Sequence, residues 1–405
     1  MAVIVQKYGG SSVADADKIK NVARRVSNTK EQGNDVVVVV SAMGKTTDNL
    51  ISLANQITSH PDDREMDVLL STGELVSSTL MAMALRELGH PAISLSGAQA
   101  GIRTSPSYSR AQILSVDPAR IEKELKSGNI VIVAGFQGIT HDMDITTLGR
   151  GGSDTTAVAL AVQLKARICE IYTDVDGVYS ADPRIVPEAR KLRDIGYEEM
   201  LEMASYGASV MHSRAVELGE LYDMPIQVAA SHNSNPGTII HGGPPMEISN
   251  KVRGIAHDLN VAKITIVGIP DKPGVATSIF EPLANAGISV DTIVQNSSID
   301  RVADLTFTVA RSDKLKAMKV IEPIAKEIGA SSCESDSKLG KVSVIGSGMQ
   351  SAPGYASTMF KCLSEAGVNI EMITTSEIRI TCIIAEDRVE DAVRALHRAF
   401  ELEKA

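Results

Sequence analysis

The last third of the chain repeats itself, and a repeat of this length admits few folds. Lys263-Ile-Thr-Ile-Val-Gly268 recurs as Lys341-Val-Ser-Val-Ile-Gly346. After a two-residue insertion Pro273-Gly274 recurs as Pro353-Gly354, and Ala286-Gly287-Ile288 recurs at the same further offset as Ala366-Gly367-Val368. Each copy reads as strand, Pro-Gly turn, helix, Ala-Gly turn and strand, then a further strand and helix. That is the βαββαβ layout of a ferredoxin-like module. Two copies make a paired module rather than a solenoid.

Upstream of the repeat the pattern changes. Short β-branched runs alternate with helical-period segments, which favours a largely parallel sheet covered by helices. The expected strands are Ala2–Lys7, Asp35–Ser41, Ala92–Leu95, Ile130–Ala134, Ile168–Thr173 and Ile226–Ala229, mostly continuous apolar runs of the kind buried on both faces. Lys18–Val26 and the segment around Thr72–Leu88 read as helices, the first with Ile19, Val22, Ala23 and Val26 on one face. His241-Gly242-Gly243-Pro244-Pro245 breaks every period and is the best boundary. The expected organisation is an α/β domain over 1–243, a linker over 244–262, and modules over 263–335 and 336–405.

Composition excludes several functions. A formal charge of −10 argues against binding to nucleic acid or to an anionic membrane, both of which need clustered Lys and Arg. Cys169, Cys333, Cys362 and Cys382 lie far apart, so neither a zinc site nor a disulfide framework is expected, and the thiols read as reduced and buried. Met1 leads straight into a strand-like run without a basic flank or cleavage site, and the expected location is cytoplasmic.

Four segments carry chemistry. Lys7-Tyr8-Gly9-Gly10-Ser11-Ser12 lies where a strand ends; it is either an anion-binding turn, with Lys7 supplying charge, or an ordinary strand-to-helix turn. Gly44-Lys45-Thr46 imitates a phosphate-binding P-loop, but the position five residues before Gly44 is Val39, so the motif fails and leaves only an anion-friendly turn using Ser41 and Thr47. Gly149-Arg150-Gly151-Gly152-Ser153-Asp154 precedes a small-residue helix, with Ser153 or Asp154 as the expected N-cap. A guanidinium beside free N–H groups there suits a carboxylate or phosphate. Thr173-Asp174-Val175-Asp176-Gly177, running on to Tyr179 and Arg184, reads as a nucleotide-side loop.

Together with Ser71-Thr72-Gly73-Glu74, these segments resemble the aspartate kinase family of the amino-acid kinase superfamily over essentially the whole chain, and the paired repeat resembles that family's tandem ACT modules. The resemblance implies ATP, with Mg²⁺ carried by the nucleotide and no protein metal site, and L-aspartate as acceptor. It implies that Lys7 stabilises the phosphoryl group in transfer, that Asp154 organises the charged groups, and that Gly9, Gly10, Ser11 and Ser41 hold phosphates. Thr173, Asp174, Tyr179 and Arg184 would line the nucleotide. Thr47, Glu74 and Arg150 would hold aspartate, Glu74 through the ammonium and Arg150 through a carboxylate, beside Gly151, Gly152 and Ser153.

The chain departs from the family at Ser209, a nucleotide-side position that usually carries Lys, and at Val228-Ala229-Ala230-Ser231, which lacks an Arg often found there. Weaker phosphate binding, or recruitment of Arg184, Lys191 or Arg214, is the expected consequence. A catalytically weakened amino-acid sensor is the alternative, and another small-molecule kinase of the superfamily is a second. Lysine, threonine or both are the implied effectors. They would sit between ACT modules of two chains, at Asp271, Lys272, Pro273, Gly274, Ala276 and Gln295 of one repeat and Asn369 and Ile370 of the other. A homo-oligomer through those modules follows, and a separate ACT-only subunit is compatible with it.

Overall fold

The computed structural model describes residues 2–207, 210–242, 252–296, 302–349 and 353–404. It divides into two compact units. The first comprises Met1–Tyr179 and Lys191–Ile248, and the second comprises Ser180–Arg190 and Ser249–Ala405.

The first unit is built on an eight-stranded sheet. In spatial order its strands are Asp194–Gly196 (β10), Thr238–His241 (β12), Ile226–Ala230 (β11), Ile168–Thr173 (β9), Val3–Tyr8 (β1), Asp35–Val40 (β2), Ile130–Ala134 (β6) and Ala92–Leu95 (β3). Every pairing is parallel except β11 with β12. The valine run of β2 is fully buried, as strands covered on both faces require. Helices Ala16–Glu31 (α1), Thr46–Ile57 (α2), Asp63–Glu87 (α3), Ala119–Lys126 (α4), Gly152–Gln163 (α5), Tyr197–Ser205 (α6) and Ser213–Leu221 (α7) complete it. A second sheet of Ile113–Val116 (β5), Ile102–Thr104 (β4), Gln137–Ile139 (β7) and Ile145–Thr147 (β8) was not foreseen.

By length and composition α3 could cross a bilayer. Its buried face, however, includes Asp67 and Glu74, both bonded to loops of this unit, so it is a core helix.

In the second unit both repeats share one six-stranded sheet, ordered Val290–Gln295 (β14), Val302–Val309 (β15), Gly254–Pro270 (β13), Ser332–Ile345 (β16), Arg379–Ala385 (β18) and Met372–Thr375 (β17). Helices Val275–Asn285 (α8) and Lys314–Glu327 (α9) belong to the first module, and Tyr355–Glu365 (α10) and Val389–Ala399 (α11) to the second. The first module is a complete βαββαβ unit. In the second no strand follows α11 among the described residues, and Gly254–Asp258, upstream of the first module, pairs antiparallel with Lys341–Ile345 in that place. The expected linker over 244–262 therefore contains strand from Gly254 onward. Ala181, Ile185 and Val186 also pack into the second module's core with Val342, Leu363 and Leu396. Of the four thiols Cys169 and Cys382 are buried, whereas Cys333 and Cys362 are only partly so, and none is in a disulfide.

Candidate active site

β1 is the point at which the large sheet reverses direction: β2, β6 and β3 extend to one side, and β9 and β11 to the other. In open α/β sheets a crevice forms outside the carboxyl ends at such a point. The loops there are tied together by backbone bonds from Gly9 N to Tyr172 O (3.2 Å), Ser41 N to Tyr8 O (3.1 Å) and Gly44 N to Gly10 O (3.0 Å). Gly10 is obligatory, because a Cβ would lie 2.7 Å from Ala42 O.

At the end of β1 Lys7 Nζ forms an ion pair of 2.5 Å with Asp154 Oδ1, both side chains being about nine-tenths buried. Asp154 reaches it from the first turn of α5. The residue that caps α5 is Gly151, not Ser153 or Asp154 as expected, and it has φ 70°, where only glycine is comfortable. A Cβ at Gly151 would also lie 2.2 Å from the His212 side chain. Moving the cap back leaves Asp154 inside the helix and free to face Lys7. Burial holds the His212 imidazole below its ordinary pKa, against an opposing pull from Asp154.

α3 supplies the other wall through a polar stripe. Asp67 accepts from the Ser109 and Thr147 amides, Ser71 O accepts from Gln137 Nε2 (2.8 Å), Glu74 Oε1 accepts from Ala42 N (3.1 Å), and Ser77 Oγ donates to Ser41 O (2.8 Å). These positions recur at helical spacing on one face, so one rigid helix sets the register of two loops and of strands β7 and β8. Glu74 is 3% exposed and its Oε2 has no partner. Burial raises its carboxyl to about 7 despite the Ala42 amide. A buried carboxylate with an open lone pair is a receptor for a cation.

Of the residues named from sequence, Lys7, Gly10, Ser41, Thr47, Glu74, Arg150, Gly151, Gly152, Ser153 and Asp154 line one cleft of about 1120 Å³. Gly9 adjoins it: a Cβ there would sit 3.7 Å from Lys7 Nζ. Sequence reasoning missed Arg110, Thr147 and His212 on the same walls, and it considered Arg214 only as a substitute phosphate ligand. Arg110 lies in a polar loop with no motif to mark it.

Ser11, Thr173, Asp174 and Tyr179 do not line this cleft. Thr173 Oγ1 donates to Asp174 Oδ1 at the exposed end of β9, and Tyr179 bridges to Lys191. Next to them Tyr8 stacks on Tyr172 at 4.9 Å, and Arg25 lies 4.7 Å from the Tyr172 ring centre. Arg184 is in the second unit with its guanidinium on Asp182 (2.7 Å), and Lys191 Nζ donates to Pro236 O (2.7 Å). Ser209 lies outside the described residues.

The candidate effector residues Asp271, Lys272, Pro273, Gly274 and Ala276 form the exposed turn into α8, capped by Gly274 at φ 95°. Asp271–Ala276 follow β13, an inner strand, and Gln295 ends β14 at one edge of the six-stranded sheet, whereas Asn369 and Ile370 precede β17 at the other edge.

Comparison with known proteins agrees with this architecture. The amino acid kinase family profile matches residues 2–230, and the ACT domain profile matches 264–323 and 342–400. The class is thus an amino acid kinase carrying a tandem ACT regulatory unit. The aspartokinase of Mycolicibacterium smegmatis is 51% identical over 408 residues, covering 99% of this chain and 97% of the relative. That of Pseudomonas aeruginosa is 50% identical, covering 100% and 98%. Among solved structures, E. coli aspartokinase III in complex with aspartate and ADP matches with a TM-score of 0.82 at 26% identity, over 98% of this chain and 99% of that one. The same enzyme in complex with lysine and aspartate matches with a TM-score of 0.75 at 27% identity, over 98% and 99%. The chain belongs to the amino acid kinase family and, within it, to the aspartokinases.

Proposed function

We propose that the chain is an ATP-dependent aspartate kinase, transferring the γ-phosphoryl group to the β-carboxylate of L-aspartate to give 4-phospho-L-aspartate. The observation that carries this reading is Glu74. Its unpartnered Oε2 offers an anionic seat for an α-ammonium group, in the same cleft as the Arg150 loop and the Lys7–Asp154 pair. An amino acid with a second carboxylate satisfies all three.

In the reaction a carboxylate oxygen attacks the γ-phosphorus, the bond to the β–γ bridging oxygen breaks, and ADP leaves. The acceptor is already ionised near neutral pH, so no general base is needed. Lys7 offsets the charge on the transferring group, and Asp154 holds Lys7 at the end of β1. Gly9 and Gly10 let backbone approach the phosphates. Among the described residues no three His, Cys, Asp or Glu side chains converge as a metal site. Mg²⁺ would be held mainly by the nucleotide's phosphates, and Asp154, paired with Lys7, would supply a carboxylate to it.

The ACT unit makes the enzyme responsive to lysine, threonine or both. Within one chain Gln295 and the Asn369–Ile370 pair adjoin strands at opposite edges of the sheet, so a site using both needs two chains. Exposed Ile293 and Val294 on β14 and Ile373 on β17 fit edges that are covered in a homo-oligomer. The enzyme would act in the cytoplasm at the entry to lysine, threonine and methionine synthesis.

The test is ADP release from ATP·Mg²⁺ with L-aspartate, with hydroxylamine trapping of the acyl phosphate, repeated with lysine and threonine singly and together. Aspartate-dependent turnover suppressed by an effector is expected. Effector binding without turnover would replace the kinase with an amino-acid sensor.

A further inference from the structure

The acceptor side of the cleft rests on two chain segments that carry its arginines. Ser109–Ala111 contains Arg110, and Thr147–Leu148 leads two residues later to Arg150. Ala111 N donates to Thr147 O at 3.0 Å, so the segments are already paired. Two charged side chains grip the pair from different elements. Asp67 on α3, fully buried, accepts from Ser109 N with both oxygens (3.1 and 2.9 Å), from Thr147 N with Oδ2 (2.8 Å) and from Thr147 Oγ1 with Oδ1 (2.6 Å). Arg214 on α7 donates from Nη1 to Leu148 O (2.7 Å) and from Nη2 to Ala111 O (3.0 Å).

The division of labour is complementary. The carboxylate takes the N–H groups of both segments, and the guanidinium takes their C=O groups. Neither segment belongs to the large sheet, and both present backbone that would otherwise lack partners beside the cleft. α3 also carries Glu74, seven residues after Asp67 and hence on the same helical face. One helix thus fixes the seat for the ammonium group and the loop bearing the guanidinium for a carboxylate.

We infer that Asp67 and Arg214 are positioning residues for the acceptor amino acid, clamping the paired segments so that Arg150 meets the substrate carboxylate on an already ordered loop. The inference rests on the aspartate kinase reading, and it makes Arg214 a loop clamp rather than a phosphate ligand.

Steady-state kinetics on the full chain test it, with wild-type turnover measured in parallel. If the wild type fails to phosphorylate aspartate, the kinase reading falls; if it succeeds, the variants judge the clamp alone. Asp67→Ala strands two backbone N–H groups and is expected to raise the KM for aspartate about 30-fold while the KM for ATP stays within about twofold. Asp67→Asn should recover to within about fivefold of wild type, because its amide oxygen still accepts from both N–H groups and its NH₂ can donate to Thr147 Oγ1. Arg214→Met, which keeps the stem and removes both donors, should raise the aspartate KM about tenfold. If Asp67→Ala does not fold, Asp67→Asn and Arg214→Met still decide. A rise in the ATP constant with either variant, a parallel fall in all constants, or an Asn variant as impaired as Ala would overturn the clamp.

Discussion

The catalytic unit and the ACT unit solve the problem of holding an amino acid in opposite ways. In the first, every candidate ligand group for aspartate converges within one chain on one cleft, and α3 and α5 fix them from two sides. In the second, the candidate effector residues are spread across a sheet, from Gln295 on the edge strand β14 to Asn369 and Ile370 beside the opposite edge strand β17. Chemistry needs groups preorganised to within a fraction of an ångström, which a single packed core supplies. Regulation needs a site that exists in one assembly state and not in another, which a divided site supplies. On the proposed function, catalysis is a property of the fold and feedback a property of the assembly.

The largest test of that contrast is Lys7→Ala. Losing the charge at the transferring group should lower kcat by about 10³-fold, by analogy with other preorganised donors, while effector binding measured by calorimetry stays at the wild-type affinity. Loss of effector binding in this variant would break the separation.

Glu74→Gln comes next and sharpens the acceptor side. With a carboxyl pKa of about 7, Glu74 is largely protonated below neutrality and gains the charge that holds an ammonium group as pH rises. For the wild type kcat/KM for aspartate should therefore rise through about pH 7. The variant should lie about 10–100-fold lower and lack that limb in a pH–rate profile. The same raised pKa means that the ionised carboxyl costs stability, a cost that grows from about pH 4.5 and is complete above about pH 7, so Glu74→Gln should unfold at no lower temperature than wild type at pH 8.

Asp271→Ala is the smallest effect. It should shift the inhibitory concentration of lysine or threonine about tenfold and leave kcat without effector unchanged, read from inhibition curves. A fall in basal kcat would tie the exposed α8 turn to catalysis and erase the contrast.

Much of this was legible in the residues themselves. Strands β3, β6 and β9 fall on their expected bounds; β6 is apolar and buried along its whole length, whereas β3 and β9 are buried only in part. The repeat announced two ferredoxin-like modules, and the motifs together with the family resemblance named ten residues that line the cleft. The small second sheet was illegible, because Arg103, Gln137, Gly138 and Thr146 break up any apolar run in its strands, which are held by pairing with one another. Asp67 was invisible for a related reason: within α3 it reads as one polar residue among several, and only burial against the Ser109 and Thr147 amides reveals its role.

By itself the amino-acid sequence determined the class of each unit and the pairing of modules, since these are written in local pattern, and through the family resemblance it named Lys7, Glu74, Arg150 and Asp154, which line one cleft. Only the tertiary structure decided that Gly151 rather than Ser153 or Asp154 caps α5, that Gly254–Asp258 completes the second module from upstream, and that Arg214 grips backbone. Each of these depends on which groups meet across long stretches of chain. Backbone groups buried at such meetings must find partners wherever the fold brings them, and no local pattern encodes that choice.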